Sequence, residues 1–91
     1  MVEYIYDVIR VSAGEPAAIT AKLLDEDGLA ITENCNFRLF RDNLEVAAVS
    51  GIYENGVWFF TLPTSGLDGK YEYAIYEGEE SLCFKKLLYV V

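Results

Sequence analysis

The sequence predicts an all-β domain, a single antiparallel seven-stranded β-sandwich spanning residues 1–91. Three observations predict it. Runs of five to ten residues rich in Val, Ile, Tyr, Phe and Thr recur, each closed by a cluster of Gly, Asn, Asp, Glu or Pro. Helical periodicity is nearly absent, so no amphipathic helix competes for those runs. Two aromatic-rich runs, in GVWFFTL and KYEYAIY, flank one short connection, PTSGLDG, and both alternate with period two. There is no linker, no low-complexity segment and no internal repeat, and a chain of this length makes one domain with one thin core.

The first strand is expected at about Tyr4–Ser12, closed by AGEP, and the second at Ala17–Leu24, closed by DEDG. A longer connection, Gly28–Asn34, leads to the third, Cys35–Arg41. Asp42-Asn43 turns the chain into the fourth, Leu44–Ser50. Gly51–Tyr53 continues to Glu54-Asn55-Gly56, where Asn-Gly is the strongest short hairpin signal. The fifth strand is Val57–Leu62, and Pro63 ends its ladder because proline has no N–H to give. The sixth is Lys70–Tyr76, and Glu77-Gly78-Glu79-Glu80 turns it into the seventh, Leu82–Val91.

Alternation then assigns faces. Ile19, Ala21 and Leu23 share one face, as do Phe37 and Leu39, Trp58, Phe60 and Leu62, and Tyr71, Tyr73 and Ile75. The two aromatic runs become opposite walls of one core, about 10 Å apart, and PTSGLDG becomes the corner where the chain changes sheets.

Leu67-Asp68-Gly69-Lys70-Tyr71-Glu72-Tyr73 resembles the Asp-Gly-x-Tyr-x-Cys approach to the sixth strand of immunoglobulin-like sandwiches. The resemblance implies that the Tyr71 hydroxyl bonds back to the backbone at the corner. Tyr73 stands where those domains have their second Cys, and the only Trp is on the fifth strand and not the third. The similarity is therefore to the disulfide-free immunoglobulin-like or fibronectin-like modules. GEPAAITAKLLDEDG, FRLFRDN, GVWFFTLP and GKYEYAI together resemble small accessory modules of tailed-phage virions and of bacterial surface proteins. That resemblance implies a capsid decoration, head-fibre or tail-associated subunit, placed in the virion or the host cytoplasm.

Composition narrows the function classes. Seven Lys and Arg face fifteen Asp and Glu, for a net charge of −8. That balance argues against nucleic acid, which needs a basic footprint, and against anionic membranes. The apolar fraction, 53 %, slightly exceeds the roughly 45–50 % of ordinary soluble domains and points to a partner surface. MVEYIYDVIRV carries Glu3 and Asp7 where a signal peptide needs a basic start and an unbroken apolar stretch, so export by this route is not expected.

No constellation for catalysis stands out, and neither an enzyme nor a cofactor is expected. Histidine is absent, and with it the commonest general base and zinc ligand. Ser12, Ser50, Ser65 and Ser81 lie in no G-x-S-x-G setting. Cys35 and Cys83 are expected with one strand between them, about 9.5 Å apart, beyond disulfide reach. They read as small apolar residues or as reactive thiols. The acidic turns Asp25-Glu26-Asp27-Gly28 and Glu77-Gly78-Glu79-Glu80 are expected at one end of the sandwich with Glu54-Asn55-Gly56. They read as solvated turns, as a weak Ca²⁺ site built from Asp25, Asp27, Glu77 and Glu79, or as an acidic docking face. The spacing is not that of an EF-hand, since the twelfth position after Asp25 is Asn36 and not Glu.

The outward residues suggest a protein partner. Phe40, Tyr76, Phe84 and Leu88 would form a patch outside the third, sixth and seventh strands. On the last strand, either Leu82, Phe84 and Leu88 or Cys83, Leu87 and Tyr89 face away from the core. Lys85-Lys86 would guard the edge of that strand. The expected function is a non-enzymatic structural or binding module that assembles on a larger particle through protein contacts, among them a homo-oligomer. The alternative is a domain that recognises carbohydrate or protein through its loops, with Tyr53, Trp58 and Tyr76 as its aromatic candidates.

Overall fold

In the computed structural model, which describes every residue from Met1 to Val91, period-two alternation builds ten strands and no helix. They are β1 (Val2–Ile5), β2 (Val8–Val11), β3 (Ala17–Ala21), β4 (Cys35–Arg41) and β5 (Leu44–Ser50). After them come β6 (Ile52–Glu54), β7 (Val57–Leu62), β8 (Gly69–Glu77), β9 (Glu80–Ser81) and β10 (Lys86–Val90). Seven of them form one sheet in the order β1-β2-β10-β8-β4-β5, with β9 beside β8, and β3-β7-β6 form the other.

The all-β class and the two aromatic walls stand as expected, but a purely antiparallel seven-strand sandwich does not. One pair is parallel: Ile9 of β2 sits opposite Leu88 of β10, and Val11 opposite Val90. The cause lies in the first expected strand, which is two. Tyr6 adopts a left-handed backbone (φ 56), and the chain folds back so that Ile5 opposes Val8 and Val2 opposes Val11. The return arm β2 therefore runs along β10 instead of against it. This turn contains no Gly or Asn, and its one turn-forming residue, Asp7, stands alone inside an otherwise β-type run, so the break is weakly marked in the sequence.

The hairpin at Asn55-Gly56 forms where Asn-Gly placed it, with both residues at positive φ, the mirror-type geometry that suits a right-twisted ribbon. Gly51 has a different duty. There β5 leaves the large sheet and continues as β6 in the small one, passing over the core. A Cβ at Gly51 would lie 2.5 Å from Phe60 Cε1 and 2.6 Å from Trp58 Cε3, so only glycine passes.

The core is one cluster drawn from both sheets. Trp58, Phe60 and Leu62 of β7, with Ile19 of β3, meet Tyr71, Tyr73 and Ile75 of β8, Phe37 and Leu39 of β4, and Leu88 of β10. Phe37 stacks on Tyr73 at 5.3 Å and 12°, and Trp58 lies 6.1 Å from Phe60. Trp58 is 3 % exposed, and its indole N–H donates to the Ile31 carbonyl at 2.6 Å, so its polar atom is satisfied inside. At the corner between β7 and β8, Thr64 is buried and its hydroxyl donates to the Glu15 carbonyl at 2.5 Å. The Asp68 N–H donates to the Tyr71 hydroxyl at 3.1 Å, the backward bond that the corner sequence implied. The Arg41 guanidinium closes this end by lying 3.9 Å over the Tyr71 ring.

Candidate functional site

The outer face of β4 and β8 was expected to carry an apolar patch, and the structure redistributes its members. Leu88 faces inward and is fully buried, because β10 turns Leu88 and Val90 toward the core and leaves Leu87 and Tyr89 outside. Neither of the two expected sets faces outward as a whole: Leu87 and Tyr89 lie outside on β10, while Phe84 of the other set is exposed ahead of the strand and Leu82 packs against the core. Phe84 lies before β10, in the loop after β9, and is 92 % exposed. Phe40 does point outward, yet it is only 7 % exposed. The Lys85 ammonium sits 4.3 Å over its ring, and Tyr76 packs beside it with ring centres 6.4 Å apart. Lys85 therefore covers an aromatic ring and guards no edge, since β10 lies inside its sheet between β2 and β8.

Tyr76 is covered in the same way. The Arg38 guanidinium lies 4.1 Å over its ring and donates to the Gly78 carbonyl at 2.9 Å. Arg38 is paired with Glu79 at 3.1 Å and Glu45 at 3.5 Å. The hydrogen bond to Glu79 raises the Arg38 pKa further above its already high value, against the opposing effect of desolvation. This outer face is an alternation of rings and cations, anchored by two carboxylates, and little bare apolar surface remains on it.

The acidic turns do converge on one end. β3, β6 and β8 finish there, and β2, β4, β7 and β10 begin there. The four candidate carboxylates do not meet, however. One oxygen of Asp25 accepts from the Asp27 and Leu29 N–H groups, both at 2.9 Å, which ties its own turn. Glu79 is committed to Arg38. Nowhere do three Asp, Glu or Cys side chains gather closely enough for a metal ion, so the Ca²⁺ set Asp25, Asp27, Glu77 and Glu79 is not assembled. The hard-cation reading required six to eight oxygens around one point.

What the loop end presents instead is apolar. Tyr6, in the turn between β1 and β2, is 99 % exposed, and Phe84 stands at the same end. Leu24 and Leu29, on the turn after β3, are also exposed. Behind Tyr6 lies a recess of about 280 Å³ between the sheets, floored by Ile9, Ile19, Tyr73 and Ile75. The Tyr73 hydroxyl donates to the Asp7 carbonyl at 2.9 Å, and Lys86 pairs with Asp7 at 3.3 Å. Burial, with the Asp7 charge second, pushes the Tyr73 phenol up to about 12, so it stays a donor through the neutral range. Neither Tyr6 nor Phe84 pairs with anything, and sequence reasoning weighed only Phe84.

The aromatic candidates of the recognition reading are spoken for. Trp58 is core, Tyr53 packs 5.5 Å from it, and Tyr76 lies beneath Arg38. The two thiols are both free, but Cys83 lies in the connection between β9 and β10 and not on the last strand, where the spacing argument had placed it. Cys35 is buried, and burial, with Glu77 second, raises its pKa, which keeps the thiol protonated and unreactive.

No family model matches this sequence, and a search of the curated proteins returns no match.

Proposed function

We propose that this chain is a non-enzymatic immunoglobulin-like module that docks onto a protein partner through its loop end, as an accessory of a larger particle. The division of strands supports the immunoglobulin-like part: β3, β7 and β6 pair in one sheet, and β4, β8 and β10 in the other. The bond from Asp68 to Tyr71 at the corner supports it further. The accessory role, on the virion of a tailed phage, rests on the resemblance of the sequence segments described above.

One observation carries the docking surface. Tyr6 and Phe84 are the two most exposed aromatic rings, and they project from one end amid acidic turns. Aromatic side chains without neighbours gain most when a partner removes them from water, and such rings anchor interfaces. The carboxylates of Asp25, Asp27, Glu77 and Glu80 around them favour a partner with a basic rim.

Co-sedimentation tests this. Labelled protein is spun with purified tailed-phage particles, and a parallel sample is placed on a glycan array. Saturable binding to particles, weakened about tenfold or more by Tyr6→Ser with Phe84→Ser, is the expected result. Glycan binding without particle binding would overturn the accessory reading in favour of sugar recognition. Particle binding that ignores the double substitution would move the contact away from the loop end.

A further inference from the structure

We infer that β5 is a self-association edge, along which a second copy of this chain pairs as an antiparallel strand. The inference is separate from docking at the loop end, because the edge runs along the flank of the sandwich.

The two sheets leave five edges, on β1, β5, β3, β6 and the two-residue β9. All but β5 are short or covered. β6 has three residues and β1 has four. On β3, the outward N–H of Thr20 is taken by the Tyr4 hydroxyl at 3.0 Å. β5 differs: Leu44–Ser50, LEVAAVS, is seven residues long, with no Lys, Arg or Pro to repel a strand. Its single charge, Glu45, is held by Arg38.

The register shows which groups are free. The Gly51 N–H donates to the Cys35 carbonyl at 2.9 Å, and Cys35, Phe37 and Leu39 follow in step as the residues of β4 that bond toward β5. The alternate residues of β4 bond toward β8, as the Gly78 N–H to the Asn34 carbonyl at 2.8 Å confirms. On β5, Val49 and Ala47 therefore spend their backbone groups on β4. Ala48 and Ser50 aim theirs at solvent, and both residues are exposed.

That pattern fits itself. A two-fold axis through Ala48 sets it against Ala48 of the second copy as a hydrogen-bonded pair, two small side chains side by side at the axis. Val49 then lies opposite Ala47, both on the core side, and Ser50 lies opposite Val46. The irregularity between Leu39 and Phe40, which leaves Val46 without a partner on β4, falls at the end of this short ladder. Charge selects the antiparallel arrangement. Each chain carries −8, and antiparallel pairing points the two acidic loop ends in opposite directions. Glu45 falls opposite Gly51, so no carboxylate faces another. The contact is small, and the dimer is accordingly weak and concentration-dependent.

Light scattering across a concentration series tests the inference on the full chain. The molar mass is expected to rise toward twice the monomer value. Ala48→Pro removes an N–H that β4 does not use and is expected to hold the chain monomeric with its near-ultraviolet dichroism unchanged. Ala48→Lys sets two ammonium groups together at the axis and is expected to do the same, and it decides the matter if the proline variant fails to fold. The Tyr6→Ser, Phe84→Ser variant is expected to dimerise like the parent. A monomer at the highest concentration, or a dimer that survives both Ala48 substitutions, overturns the inference.

Discussion

β4 and β8 carry an aromatic pair on each of their faces, and the two pairs are kept from water by different means. Inside, Phe37 stacks on Tyr73 and the opposite sheet seals both. Outside, Phe40 lies against Tyr76 and no sheet covers them; Lys85 and Arg38 do. The inner pair is closed by packing that only unfolding can undo. The outer pair is closed by flexible side chains whose stems cover apolar surface while their charges stay wet. Alternation alone makes the two faces look alike, and tertiary structure makes them unequal.

Truncating one ring on each face tests that inequality most severely. Phe37→Ala is expected to cost about 3–5 kcal/mol, because it opens a cavity that the sandwich cannot close. Phe40→Ala is expected to cost about 1.5–3 kcal/mol, the transfer value of a ring with a soft cover. Urea denaturation midpoints read both, and equal losses would show that the outer cover is as rigid as the core.

A smaller effect, and one with a pH signature, is expected at Tyr73. Removing its hydroxyl in Tyr73→Phe should cost about 0.5–1.5 kcal/mol at neutral pH, through the lost bond to Asp7. The folded state holds the phenolic proton up to about 12, whereas the unfolded chain releases it near the ordinary value of about 10. The contribution of Tyr73 is therefore complete below pH ~10 and lost as pH rises toward about 12. Stability measured against pH in parent and variant should show the steeper alkaline fall in the parent, and parallel curves would refute the assignment.

The least effect on stability is expected from Arg38→Ser, which uncovers Tyr76 on the solvent side. The denaturation midpoint should barely move, while binding of an anilinonaphthalene dye to the newly bare ring should increase. A large drop in the midpoint would mean that Arg38, with its bonds to Gly78, Glu45 and Glu79, holds the turn after β8 and does more than cover a ring.

Much of the architecture was legible in the sequence because inward residues in a two-layer β fold must recur at every second position. That rule located Trp58, Phe60, Tyr71 and Tyr73 on the core face, and Asn55-Gly56 marked its own hairpin. The rule failed where both alternating sets were apolar. Leu82, Phe84 and Leu88 compete with Cys83, Leu87 and Tyr89, and the pairing of β10 between β2 and β8 settled only Leu87, Leu88 and Tyr89, since residues 82–84 lie ahead of the strand. It failed again at Tyr6, where an unremarkable residue takes a left-handed backbone and splits the first strand. The site was legible only in part. An outward ring such as Phe40 looks exposed in one dimension, since the lysine that shelters it is 45 positions away in the chain.

The parallel seam between β2 and β10 reaches further than its few bonds suggest. Ile9 and Leu88 are 79 positions apart, yet β10 is the only strand that joins the β1–β2 hairpin to the rest of its sheet. On the ribosome, that hairpin can reach β3 early, through the bond from the Thr20 N–H to the Tyr4 hydroxyl, but its place in its own sheet must wait until nearly the whole domain has emerged. Contacts so distant along the chain predict slow folding, and a nascent chain halted before Lys86 would leave its first arm without the strand it pairs with.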